Sequence, residues 1–252
     1  MTTKGSRRDE PEPSRNGAAI PIVGIGASAG GIGALETLVP LLEPGAGLAY
    51  VVVQHLDPDR KSVLATLLAR TAKIPVIEIA DHATIETDHV YVIPPNAALA
   101  IFDNRLQISA PLEQRFQRTP IDGFFISLAE ANGEGAAGVI LSGTGSDGTL
   151  GLRAIKEQGG LTVAQDGAEY DGMMRSAVRS GVVDFVLPLD KIPAKLNDYF
   201  RHLTSVDGRK GPDGVRPEAA DHLAQICALL RTRTGHDFSG YKDQTMARRV
   251  QR

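Results

Sequence analysis

Ile22-Val23-Gly24-Ile25-Gly26-Ala27-Ser28-Ala29-Gly30-Gly31 is the stretch on which the fold of this 252-residue chain turns. An apolar, β-branched run breaks into small residues, the pattern of a buried strand that turns sharply into a helix. Within it, Gly26-Ala27-Ser28-Ala29-Gly30 carries the glycine-spaced serine of a nucleophile elbow. A serine on such a turn stands clear of the backbone, and glycines at 26, 30 and 31 let a carbonyl carbon approach closely. The helix predicted over residues 31 to 42 aims its first N–H groups at the same place, where a developing oxyanion is stabilised. Ser28 is therefore the candidate nucleophile.

The same letters also fit a dinucleotide fingerprint, Gly24-x-Gly26-x-x-Ala29, a pattern with many false matches. That reading wants an acidic residue at the end of the second strand to hold ribose hydroxyls. The second strand, predicted over residues 48 to 54, is followed by His55 instead. A serine hydroxyl is a weak nucleophile until a base of near-neutral pKa takes its proton, so His55 suits hydrolysis better than dinucleotide binding.

A third strand breaks in Val139-Ile140-Leu141-Ser142-Gly143-Thr144-Gly145-Ser146-Asp147-Gly148, again into a glycine-rich loop and a helix, predicted over 148 to 158. Asp147 reads in two ways: as the N-cap of that helix, or as the carboxylate that orients His55. A phosphate nest is the weaker reading of the loop, which lacks the Lys-Ser/Thr pair of a Walker motif. In an open parallel sheet the site lies at the carboxyl ends of the strands, near the switch in strand order. Ser28, His55 and Asp147 each follow a different predicted strand there. The order Ser, His, Asp differs from the Ser, Asp, His of α/β-hydrolases, so the chemistry is expected on another scaffold.

These blocks, together with Tyr91-Val92-Ile93-Pro94-Pro95 and Ala164-Gln165-Asp166, resemble the CheB-type protein-glutamate methylesterases of bacterial chemotaxis over about residues 20 to 203. The resemblance implies hydrolysis of glutamate methyl esters on the cytoplasmic helices of chemoreceptors, with Ser28 as nucleophile, His55 as base and Asp147 as orienter, and with no cofactor. It also implies an oxyanion hole from backbone N–H groups near Ala29 and Thr144; Arg175 reads either as a substrate-side residue that meets an acidic receptor surface or, more simply, as a solvated arginine at a helix start. Thr144 stands where many members have methionine, Ala29 where threonine is common, and Met173-Met174-Arg175 where Gly-Met-Pro-Arg is common. Thr234 to Lys242, followed by Arg248-Arg249, resembles the opening of CheR-type receptor methyltransferases, so the chain reads as a piece of a longer esterase–methyltransferase fusion. The roughly 20 residues before the first strand are too few for a receiver domain.

The expected fold is α/β: a doubly wound, mainly parallel sheet with an inserted β-hairpin, followed by a short helical C-terminal segment. The expected organisation is a disordered arm at 1–19, the catalytic domain at 20–203, a Ser/Asp/Gly/Lys/Pro linker at 204–217 and a helical unit at 218–252. Helices are predicted over 59 to 71 and 120 to 132, the second with Thr119 as cap, Pro120 in its first turn and Asp122 facing the helix dipole. Leu99 to Phe102 and Arg105 to Ile108, joined by Asp103-Asn104, predict the hairpin.

Composition frames this reading. A net charge of −3 gives no basic excess for nucleic acid. One cysteine, Cys227, rules out an internal disulfide and suits a reducing, cytoplasmic setting. No apolar run predicts membrane insertion. His82 and His89 lack metal-ligand spacing, so no metal site is expected. The rival from another class is a catalytically weak chemosensory adaptor that docks receptors; an oxidoreductase is a distant third.

Overall fold

The computed structural model describes residues 20–55, 62–111, 119–207 and Cys227. In chain order the elements are β1 (Ile22–Ala27), α1 (Gly31–Leu38), β2 (Ala49–Gln54), α2 (Leu64–Ala69), β3 (Val76–Glu78), β4 (Ala83–Thr84), β5 (His89–Val92), β6 (Ala98–Phe102) and β7 (Arg105–Ser109). They continue with α3 (Pro120–Asn132), β8 (Ala136–Ile140), α4 (Thr149–Glu157), β9 (Leu161–Gln165), α5 (Gly172–Arg179), β10 (Phe185–Leu187) and α6 (Ile192–Asp207). Seven strands form one sheet in the order β10-β9-β8-β1-β2-β5-β3, with every pair parallel. The chain runs from β1 outward to one edge and then returns beside β1 to build the other half. The switch in strand order therefore lies between β1 and β8, where a parallel sheet opens a crevice at its carboxyl edge.

Two apolar layers cover the sheet. On one face Val23, Ile25, Tyr50 and Val52 pack with Leu35 and Leu38 of α1, Leu68 of α2 and Leu196 of α6. On the other, Val51, Val53 and Ile140 pack with Phe124 and Phe125 of α3, Leu152 of α4 and Ala177 of α5. The central strand β1 is buried throughout, as expected for a parallel strand covered on both faces. Its glycines follow from the close seat of α3. A Cβ on Gly24 would lie 2.7 Å from Phe125 Cε1, and one on Gly26 2.5 Å from Ile121 Cγ2. The Gly-x-Gly spacing thus makes room for a helix lying flat on β1, and the dinucleotide fingerprint has no further claim on it.

The predicted hairpin is present, with Asp103 and Asn104 both at positive φ (49° and 56°), the backbone of a two-residue turn matched to strand twist. It does not join the main sheet. β6 and β7 pair antiparallel with the short β4 as a separate three-stranded sheet, and Ile101 bonds through its backbone to the Ser127 hydroxyl of α3.

Several boundaries differ from the sequence reading. α1 ends at Leu38 and continues as a tighter turn over Val39–Leu41, because Pro40 cannot donate the next helical bond. α3 occupies residues 120–132 as predicted, but Thr119 makes no side-chain capping bond. The helix predicted over 59 to 71 is described only as Leu64–Ala69, its start falling partly outside the described residues. α6 runs to Asp207, four residues into the stretch expected to be linker. The arm at 1–19 and, Cys227 apart, the helical unit at 218–252 lie outside the described residues. Among the described residues no helix is long and apolar enough to cross a membrane.

Candidate active site

β1 and β2 run in parallel register with Ala27 opposite Gln54, so Ser28 and His55 are the next residues on adjacent strands as both leave the sheet. The His55 N–H donates to the Ala27 carbonyl (3.3 Å), keeping the two strand ends together past the last ladder pair. Ser28 itself is held by backbone bonds. Its N–H donates to the Ser142 carbonyl at 3.0 Å, and its carbonyl accepts the Gly31 N–H at 2.9 Å. Gly30 closes the turn at φ 69°, the left-handed region that glycine enters without cost, and forms the start of α1.

Asp147 arrives from the opposite side of the switch point, at the end of the loop after β8. Its buried carboxylate lies 2.6 Å from His55 Nε2. An ionised carboxylate only accepts, so across this contact His55 Nε2 is the donor. The short distance is that of a charge-assisted bond.

Asp147 is not the cap of its own helix: α4 has Gly148 at its N-cap, at φ 90°, with no side-chain capping bond. Instead the Asp147 carboxylate caps α3, accepting the Ile121 N–H on Oδ2 (3.1 Å) and the Asp122 N–H on Oδ1 (2.9 Å). This is the job foreseen for Thr119, done from a distant loop. Asp122 returns the exchange: its carboxylate accepts the Gly151 N–H in the first turn of α4 at 2.8 Å. Asp122 thus faces the start of α4 as well as belonging to its own helix. Two buried acids each cap the helix next to the other. Burial, with the Asp147 charge adding to it, pushes the Asp122 carboxyl above its ordinary value, while backbone N–H groups of Gly151, Gly148 and Leu150 pull it back.

The remaining sequence candidates divide. Among the described residues, neither the Ala29 N–H nor the Thr144 N–H donates to a backbone carbonyl. Ala29 sits at the nucleophile turn and Thr144 on the facing loop, where Gly143 brings its backbone against Ser28: a Cβ there would meet Ser28 Cβ at 3.0 Å and the buried Met173 sulfur at 2.0 Å. Arg175, by contrast, is an exposed side chain of α5, 3.0 Å from Asp171 in an i,i+4 pair. His82 lies beside Asp81 on the surface and His89 stacks on Tyr91, and among the described residues no three His, Cys, Asp or Glu side chains group as metal ligands.

Sequence reasoning missed Ser142, and it gave Asp122 only half of its role. Ser142 is an unremarkable small residue in a glycine-rich loop, and only three-dimensional contact shows that its backbone and hydroxyl grip the nucleophile turn. Asp122 occupied a helix first turn, and nothing local to it pointed to a second helix.

A doubly wound parallel domain with a serine turn, a histidine and a buried aspartate at its switch point is the arrangement of an α/β enzyme whose candidate site lies at the carboxyl edge of its sheet. The family described as CheB methylesterase matches residues 23–196, and the chain belongs to that family of hydrolases. The fold is shared with the crystal structure of the Thermotoga maritima CheB methylesterase catalytic domain, at a TM-score of 0.65 and 31% identity over 72% of this chain and 99% of that one. A protein-glutamate methylesterase/protein-glutamine glutaminase of Anaeromyxobacter dehalogenans is 37% identical, covering 77% of this chain and 57% of its own length. A 104.1 kDa uncharacterized protein of Rhodobacter capsulatus is 35% identical over 75% of this chain, which spans only 22% of it. A second family, the all-alpha domain of CheR methyltransferase, matches residues 221–252.

Proposed function

We propose that the domain hydrolyses glutamate methyl esters on the cytoplasmic helices of chemoreceptors, through an acyl-enzyme on Ser28. The bond from Asp147 to His55 Nε2 carries this reading, because it leaves Nδ1 as the base on the residue next in register to Ser28. His55 takes the Ser28 hydroxyl proton as the oxygen attacks the ester carbonyl, and returns it to the methanol that leaves. Water, deprotonated by the same nitrogen, then frees the glutamate. The Ala29 and Thr144 N–H groups receive the oxyanion, and the start of α1 adds its dipole. Glutamine at the same position would follow the same course with ammonia leaving, in keeping with the double name of the Anaeromyxobacter relative. Arg175 belongs to the surface that meets the receptor, and the match of residues 221–252 to the all-alpha domain of CheR methyltransferase supports a fused CheR-type part.

Methanol release from a methylated chemoreceptor fragment tests this directly. The chain should release methanol, and Ser28→Ala should reduce the rate by roughly 10³-fold or more. Receptor binding without release from either protein would replace the esterase reading with a docking adaptor.

A further inference from the structure

Ser142 is 1% exposed, yet each of its polar groups is engaged around the nucleophile turn. Its carbonyl accepts the Ser28 N–H at 3.0 Å. Its hydroxyl donates to the Ala29 carbonyl at 2.9 Å and accepts the Tyr170 N–H at 3.1 Å. Its own N–H donates to Gln165 Oε1, at the end of β9, at 2.9 Å. The Tyr170 carbonyl in turn accepts the Gly143 N–H at 2.9 Å, so the segment after β9 straps the loop that carries Ser142. Gly30 leaves space for the arrangement, since a Cβ there would lie 2.7 Å from Ser142 Oγ.

These bonds bracket the reacting residue. The Ser28 N–H and the Ala29 carbonyl lie on either side of the Ser28–Ala29 peptide, and the peptide between them carries the Ala29 N–H. Fixing both neighbours fixes the direction of that N–H and of the Ser28 side chain together. We propose that Ser142 is a positioning residue that aims Ser28 and the Ala29 N–H, with Gln165 holding Ser142 in turn. The proposal rests on the esterase reading above. Displacements of about 1 Å in a reacting group can cost on the order of 10²-fold in rate, whereas a bond that serves folding alone costs stability and leaves the rate of the folded protein intact.

The test compares the wild-type chain with Ser142→Ala and Gln165→Leu, in methanol release and in the rate at which a fluorophosphonate probe labels Ser28. Ser142→Ala should lower kcat about 10- to 100-fold with KM changed less than about twofold, and slow labelling in parallel. Gln165→Leu should do the same by about 3- to 10-fold, and it decides the matter by itself if Ser142→Ala does not fold. Folded variants with wild-type kcat and labelling would overturn the proposal and leave these residues as structural ties. A wild-type chain that neither releases methanol nor labels would instead remove the esterase reading on which the proposal stands.

Discussion

α1 and α4 begin alike and end up in opposite circumstances. Each follows a strand of the central pair β1 and β8, each starts on a glycine in the left-handed region, and neither has a side-chain capping bond from its own N-cap residue. At the start of α1 the Gly31 N–H donates to the Ser28 carbonyl of the preceding turn at 2.9 Å. The start of α4 is occupied, because the Asp122 carboxylate takes its Gly151 N–H. One helix head is tied to its own serine turn, while the other is tied to a neighbouring helix. The Gly151 N–H at the head of α4 is engaged by an acid that sequence separation hides.

The largest effect should come from the residue that joins the two regions. Asp147→Ala removes the acceptor of His55 Nε2–H and also uncaps α3. Turnover should fall by roughly 10³- to 10⁴-fold, and thermal or urea melting should show a loss of about 1–2 kcal/mol. Asp147→Asn keeps one acceptor for the α3 N–H groups and should recover stability much better than activity. Equal recovery of both would mean that capping, and not the hold on His55, is what the carboxylate contributes.

Glycines in the two helices sharpen the contrast. A Cβ on Gly151 would lie 2.4 Å from Phe125 Cβ and 3.2 Å from the Asp122 backbone, because α4 is drawn tightly onto α3 by the exchanged caps. Gly151→Ala should destabilise by about 1–3 kcal/mol. A Cβ on Gly33 of α1 meets nothing within 4 Å. Gly33→Ala should stabilise by up to about 1 kcal/mol, the ordinary gain of alanine in a helix. Melting midpoints moving in the same direction would contradict the difference in packing.

The parallel sheet and its carboxyl-edge candidate site were legible because they are written locally. Val23 and Ile25 alternate with glycines, and Ser28, His55 and Asp147 each follow a strand within a residue or a short loop. Asp147 was legible as a partner of His55 but not as the cap of α3, since Ile121 and Asp122 lie about two dozen positions earlier and touch it only after both helices pack. Thr119 offered a complete local capping signal, which a better-placed carboxylate displaced. The hairpin was read correctly from Asp103-Asn104 and its alternating strands. Its pairing with Ala83–Thr84, outside the main sheet, depends on a two-residue strand too short to leave a pattern.

Asp122 gives the smallest and most diagnostic effect. Burial and the Asp147 charge raise its carboxyl above the ordinary value, while the α4 N–H groups favour its ionised form. Since burial wins, the folded protein holds this proton more tightly than the unfolded chain does. The stability that the group contributes is then fully present below the unfolded carboxyl value, near 3.9, and is lost as pH rises through the folded one. Asp122→Asn cannot ionise. Its unfolding free energy, measured by urea titration across pH, should therefore gain on the wild type as pH rises above the unfolded carboxyl value, near 3.9. The amide changes one acceptor, so the absolute offset depends on its fit, but the direction of the change with pH does not. A variant that loses ground on the wild type over the same interval would show that the head of α4 outweighs burial and holds Asp122 ionised.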